Sequence, residues 1–302
     1  EINCTVETGY EFGLWKGEID YDKQSLSGNM PSTNLNLQAQ AVLKQYKVEF
    51  DNSESTNEGT VEEETYTLSS KDKTIKITCP TRAGYTLKSL QISGNVGSAY
   101  LNNAKTRLTI KAGTYGDIVI TPTWEVKTYT ITINVNDANF GSVDKTKLEA
   151  VPYGSEISIN GNELTINGIT IIASANASTN RYSYSFVNFS YTSLFVGQNL
   201  TFTANFERIT NSYLITWKNF DGTILYVDKI NFGLVPKYEH DTPFRPDDNE
   251  FIYIFDDWTP DVENVIGDAE YTAKFKKEYK QYKVEWRDFD DKILKETYHH
   301  YN

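Results

Sequence analysis

The stretch that decides the fold is Tyr213-Leu214-Ile215-Thr216-Trp217-Lys218-Asn219-Phe220-Asp221-Gly222-Thr223-Ile224-Leu225. Tyr213, Ile215 and Trp217 fall at every second position, the period of a strand with one buried face. Asp221-Gly222 then supplies a tight turn, because glycine accepts a positive φ. The same opening stands at Tyr46-Lys47-Val48-Glu49-Phe50, Tyr129-Thr130-Ile131-Thr132-Ile133 and Tyr282-Lys283-Val284-Glu285-Trp286. Tyr46, Tyr129, Tyr213 and Tyr282 are therefore expected in cores, with Lys47 and Glu49 facing water. In the last copy the turn reads Asp288-Phe289-Asp290-Asp291. Aspartate in the glycine's place predicts a weaker turn there.

Working outward, a second alternating run follows each opening or precedes the next. It reads Leu35, Leu37, Ala39, Ala41, then Ile118, Ile120, Pro122, Trp124, then Leu200, Phe202, Ala204, Phe206, then Ala269, Tyr271, Ala273, Phe275. Between opening and closing runs, pairs of large apolar residues stand three apart: Phe12 and Trp15, Leu87 and Leu90, Phe186 and Phe189, Phe255 and Trp258. A three-residue step breaks strict alternation and predicts a strand entering a bulge, with both side chains buried. Phe12, Trp15, Phe255 and Trp258 join the expected core on this reading.

The repeats divide the chain into a mainly β, elongated tandem array. Residues 1–44 read as the C-terminal part of a module, 45–128 and 129–209 as complete modules, 210–280 as a shorter one, and 281–302 as the truncated start of another. Glu1 opens inside a strand-like run, so the sequence has the look of a piece of something longer. A lone opening hairpin cannot build a core and is expected to be ordered only if it packs on its neighbour. Short polar linkers such as 126–128 and 207–212 predict touching neighbours, while the longer linker 276–281 is expected to bend more. Short helical turns are the alternative for 101–111, 226–235 and 262–266.

Composition sets the class. Of 302 residues 39% are hydrophobic and 14% aromatic, with Tyr 21 and Met 1, a balance suited to pleated surfaces. The net charge of -12 argues against nucleic acid, whose phosphates call for lysine and arginine. No apolar run reaches roughly 18 residues, so no membrane-inserted segment is expected. Cys4 precedes Gly9-Tyr10 by the spacing that separates Cys79 from Gly84-Tyr85. Equivalent places in separate modules lie beyond disulfide reach, so two buried free thiols are expected.

Several stretches then carry a family likeness. Pro80-Thr81-Arg82-Ala83-Gly84-Tyr85, Gly113-Thr114-Tyr115-Gly116-Asp117-Ile118, the 217–225 opening, Trp258-Thr259-Pro260 and Gly267-Asp268-Ala269 resemble the Listeria–Bacteroides repeats of bacterial surface proteins, relatives of the internalin B-repeats. Gly141-Ser142-Val143, Pro152-Tyr153-Gly154, 164–168, Gly9-Tyr10-Glu11-Phe12 and Met30-Pro31-Ser32 resemble the divergent class of those repeats. Leu90 stands where the family usually has tryptophan. The resemblance implies β-grasp-like modules, secreted or cell-surface localisation, and no catalytic residues.

Motifs that carry chemistry are sparse in this sequence. No glycine-rich loop is followed by Lys-Ser/Thr, so there is no phosphate-binding loop. His299-His300 and the acidic pairs Asp247-Asp248 and Asp256-Asp257 read as solvated surface. Asp241, Asp247, Asp248 and Glu250 supply oxygens for a calcium loop without the twelve-residue spacing such loops use. The expectation is therefore no cofactor, no metal and no catalysis, with the chain serving as stalk or spacer in an adhesin-like protein and neighbouring modules as its nearest partners. The competing reading is a binding module for a host protein or a glycan. Tyr100, Tyr191 and Phe195, which no core pattern absorbs, are its ligand-binding candidates.

Overall fold

The computed structural model describes residues 1–29 and 31–301. Met30, part of the resemblance at 30–32, lies outside the described residues. The chain is all-β, and the described residues contain no helix. The stretches 101–111 and 226–235 are turn and strand where short helical turns were the alternative, and 262–266 is irregular. Two compact units are found. One comprises Glu1–Ile131, Leu148–Glu156 and Phe195–Leu200, the other Thr132–Lys147, Ile157–Leu194 and Thr201–Asn302. Their division runs through the strand opened by Tyr129, so residues 129–209 contribute to both.

In the first unit, β1 (Ile2–Asn3) pairs with β3 (Ser25–Leu26), and β2 (Tyr10–Gly17) pairs antiparallel with β4 (Leu37–Leu43). The next strands are β5 (Gln45–Phe50), β6 (Thr60–Val61), β7 (Thr65–Thr67), β8 (Lys73–Thr78), β9 (Tyr85–Ser93), β10 (Ala99–Leu101), β11 (Arg107–Ile110) and β12 (Ile118–Val126). They form two four-stranded sheets, β7-β5-β12-β9 and β10-β11-β8-β6. Tyr46, Val48 and Phe50 alternate inward from β5, as their spacing predicts, and share one core with Ile75, Ile77, Leu108, Ile118 and Ile120. β12 runs parallel to β5, Ile118 opposite Val48 and Ile120 opposite Phe50.

Then come β13 (Thr128–Val135), β14 (Gly141–Val143), β15 (Lys147–Pro152), β16 (Ile157–Asn160), β17 (Glu163–Ile166), β18 (Ile169–Ala175), β19 (Tyr182–Tyr191) and β20 (Leu200–Thr210). Ile131 and Ile133 of β13 are buried, while Tyr129 is half-buried. In the second unit β14-β18-β17-β16 make one sheet and β19 pairs with β20.

The second unit continues with β21 (Ser212–Lys218), β22 (Ile224–Asn231), β23 (Phe251–Thr259) and β24 (Ala269–Tyr279), in the sheet order β22-β21-β24-β23. β24 runs parallel to β21, Ala269 opposite Ile215 and Tyr271 opposite Trp217. Trp217 lies at the centre of this core, 4.5 Å from the Trp258 ring and 4.9 Å from Tyr271. Val265, from the irregular segment before β24, closes over it. Tyr213 and Phe255 are half-buried against the same cluster.

β25 (Gln281–Arg287) and β26 (Ile293–His300) form a two-stranded antiparallel sheet. Here the core expectation fails for Tyr282, which is 43% exposed. No second layer covers this face among the described residues, and the tyrosine instead donates its hydroxyl hydrogen to the Asn249 carbonyl at 2.7 Å.

The three-residue step does mark a bulge. Pairing registers shift after Phe12, Phe186 and Phe255, and at Leu87 opposite Trp124, which sets Gly13, Val187, Asp256 and Lys88 out of register. Only Phe189 and Trp258 of the eight step residues are buried; Phe12, Trp15, Leu87, Leu90, Phe186 and Phe255 are half-buried. Cys4 and Cys79 are free but half-buried, not buried, because each sits just past a strand end. The link readings also fail: β20 reaches Thr210 and β24 reaches Tyr279, so 207–210 and 276–279 are paired strand.

Candidate functional site

The three ligand-binding candidates are all at the surface. Tyr100 lies on edge strand β10, opposite Thr109, and is 50% exposed. Tyr191 ends β19, 46% exposed, its ring 5.7 Å from that of Phe202. Phe195 follows β19 in a loop, 53% exposed, edge-on to Tyr153 at 5.3 Å. Other rings, half-buried, are shielded by cations. Arg82 stacks over Tyr85 at 4.0 Å, Arg208 over Tyr182 at 4.3 Å, Arg245 over Tyr253 at 3.7 Å and Lys277 over Phe251 at 4.3 Å. Such pairing covers an aromatic face that a sugar ring would otherwise stack on.

Two carboxylates of the acidic loop, Asp247 and Asp248, hold partners close by. Asp248 accepts from the Tyr253 hydroxyl at 2.7 Å and from the Phe251 and Glu250 amides at 2.7 and 2.9 Å. These bonds, the tyrosine's first, hold its carboxyl below the usual range. Asp247 faces Lys280 at 3.5 Å. Asp256 pairs with Lys276 and Lys274, and Asp257 caps the Trp258 amide at 2.8 Å. His299 bonds the Thr297 hydroxyl at 2.8 Å, and His240 packs on Tyr226. No group of three or more His, Cys, Asp or Glu is placed to hold a metal among the described residues. No helix of the described residues is long and apolar enough to cross a membrane.

Two devices escaped the sequence reading. The first is a joint. A single residue separates closing from opening strand at Lys44, Lys127, Asn211 and Lys280. Its amide donates back to the start of the bulged hairpin: Lys44 to Gly9 (3.0 Å) and Lys127 to Gly84 (2.9 Å) in one unit, Asn211 to Arg181 (2.9 Å) and Lys280 to Glu250 (2.8 Å) in the other. At Gly84, φ is +76° and an added Cβ would lie 2.1 Å from the Tyr153 ring, so only glycine permits this approach.

The second device is a clamp. The residue before three of the closing strands, β12, β20 and β24, accepts the amide that follows the opening tyrosine. Asp117 takes Lys47 at 2.8 Å, Asn199 takes Thr130 at 2.9 Å and Asp268 takes Leu214 at 2.8 Å. The signal was present in the sequence as Asp/Asn directly before the alternating run, and Asn34-Leu35 shares it. No family model matches the chain, and no curated protein or solved structure matches it.

Proposed function

We propose that the chain is a noncatalytic stalk or spacer: tandem, elongated, β-grasp-like repeats of a secreted or surface-anchored bacterial adhesin-like protein, with boundaries near 44, 128 and 209. The joint carries this reading. A one-residue connection whose amide is hydrogen-bonded to the preceding hairpin leaves little torsional freedom, and nearest-neighbour contacts of this kind stabilise repeat arrays. Four hairpins bulged at matching places support repetition. Mixed sheets with a hairpin on each side of a parallel central pair support a β-grasp-like module. The Listeria–Bacteroides likeness supplies the surface setting.

Small-angle scattering of the whole chain tests the shape. An elongated profile, loosened by Gly84→Leu, is the expected result; a compact particle enclosing a cleft rejects the spacer. The second reading, a binding module for a host protein or glycan, is favoured by the exposure of Tyr100, Tyr191 and Phe195. Cell-binding and glycan-array signals abolished by Tyr191→Ala or Phe195→Ala would put it first.

A further inference from the structure

We propose that the parallel strand pairs β5–β12 and β21–β24 are shear locks through which the array carries tension. The chain enters and leaves each of these modules through that pair. Module 45–128 opens with β5 and closes with β12, and module 210–280 opens with β21 and closes with β24. One residue stands at each end, Lys44 and Lys127 in the first, Asn211 and Lys280 in the second, so no slack lies outside the pair. A pull along the chain draws the opening strand backwards from its first residue and the closing strand forwards from its last. Because the two strands are parallel, these forces act from opposite ends of the pair and along it. All the bonds between the strands are then loaded together, and the pair yields only by sliding. An antiparallel hairpin pulled from its open end gives way one bond at a time. The chain between the paired strands bears no load until the pair slips.

The surroundings of each pair resist that sliding. Val48, Phe50, Ile118 and Ile120 are buried in one module, and Ile215, Trp217 and Tyr271 in the other. A slip by one residue turns these side chains to the wrong face of the sheet, out of a close-packed core. Each pair is flanked by a further strand on both sides, so neither partner offers an open edge at which water competes for the row. In β5–β12 the row is extended at both ends: Lys47 donates its amide to Asp117 at 2.8 Å, and Asp51 donates its amide to the Ile120 carbonyl at 3.0 Å. In β21–β24 Leu214 donates its amide to Asp268 at 2.8 Å, and the Lys218 ammonium reaches Glu270 across the pair at 2.6 Å. The Asp117 and Asp268 bonds thus tie the loaded end of each opening strand directly to its closing partner. The inference rests on the tandem stalk reading only for the direction from which load arrives.

Single-molecule stretching of the full chain reads the lock, with Cys4 and Cys79 replaced by serine so that an introduced thiol is the attachment point. Held by its two ends, the chain loads β21–β24 along its length. Held by its N-terminus and Gly267→Cys, it loads the same pair across one end, because Asp268 meets Leu214 at the start of β21. An added Cβ at Gly267 meets no atom, and Ile266→Cys, at an exposed position, repeats the attachment should the first variant fold poorly. Length tells the events apart: 212–279 releases about 225–245 Å, 212–267 about 185–200 Å and 45–126 about 270–295 Å, at roughly 3.3–3.6 Å per extended residue. At one loading rate the 212–279 event should need at least about twofold the force of the 212–267 event, since forced unfolding follows the barrier that the load opposes. Equal forces in the two directions overturn the proposal, as does a 212–279 event that yields at the lower force. A compact scattering profile with the directional difference intact rejects the spacer and keeps the lock. Equal forces with an elongated profile reject the lock and keep the spacer.

Discussion

The hairpins β21–β22 and β25–β26 are the same object in two settings. Both read Tyr-x-Ile/Val-x-Trp, both shift register at the tryptophan, and both close through a four-residue turn with an amide bonded across it. Gly222 takes φ 86° and Asp291 takes φ 64° at the same turn position. Yet Trp217 is 1% exposed and Trp286 is 57% exposed. The hairpin is set by local pattern and turn chemistry, whereas burial comes from β24 on the parallel edge and from the Val265 segment above. Alternation states which side of a strand is apolar; it does not state that anything covers it.

The largest test of that comparison exchanges the two tryptophans. Trp217→Ala removes a ring in contact with Tyr238, Trp258 and Tyr271 and should cost about 3–5 kcal/mol in urea unfolding. Trp286→Ala should change stability by less than about 0.5 kcal/mol under dilute conditions. Similar costs at both sites would mean that β25–β26 is covered in solution.

This contrast also marks how much the sequence disclosed. The inward turn of Tyr46, Val48 and Phe50 and the bulge after Phe255 were legible, because side-chain period is a local property of the strand. The continuation of β24 through Lys276 and Lys277 was not. Its apolar alternation stops at Phe275, but backbone pairing with Phe251–Ile254 needs no apolar residue. Asp268 was hidden for a related reason: its partner, the Leu214 amide, is distant in sequence and carries no side-chain signature. The ligand candidates were legible only as leftovers, residues for which no core pattern accounted.

The clamp gives the next effect. Asp268→Ala leaves the Leu214 amide without its acceptor and should cost about 1 kcal/mol. Asp268→Asn should be close to neutral, since Asn199 serves the same purpose opposite Thr130. Asn34→Ala should leave the dilute chain unchanged. A large loss from Asp268→Asn would show that charge, rather than the accepting oxygen, holds the strand.

Turn chemistry comes third. An added Cβ at Gly222 meets no atom, so Gly222→Asp tests backbone strain alone and should cost about 1 kcal/mol. The reverse change, Asp291→Gly, relieves the same strain and forfeits only a solvent-exposed contact of Asp291 with Arg287 at 3.4 Å, since Asp288, not Asp291, caps the Asp290 and Lys292 amides. Amide exchange across Gln281–Arg287 should slow by a few-fold. Faster exchange would show that the Arg287 bond to the Asp291 carbonyl depends on the aspartate's conformation.

The smallest effect separates the hairpins by acid. Glu285 lies between Lys283 and Arg287, and hydrogen bonds from these two hold its carboxyl down to about 2, against an ordinary value of 4.5. Lys283 also reaches Glu296 across the pair at 2.5 Å. β21–β22 carries Leu214, Thr216 and Val227 at the matching places, with no carboxylate among them. A depressed folded value means that the charged form favours the hairpin. This contribution is full above pH 4.5 and is lost as pH falls towards about 2. Protection factors for β25–β26 amides should therefore hold steady from neutral pH downwards and decline in that acid window, while those of β21 do not follow. Glu285→Gln should lower protection at neutral pH and flatten most of the acid dependence, and added salt should weaken the wild-type response because the groups face solvent. An acid decline of equal size in β21 would mean that the whole sheet, rather than this exposed ion triplet, is responding.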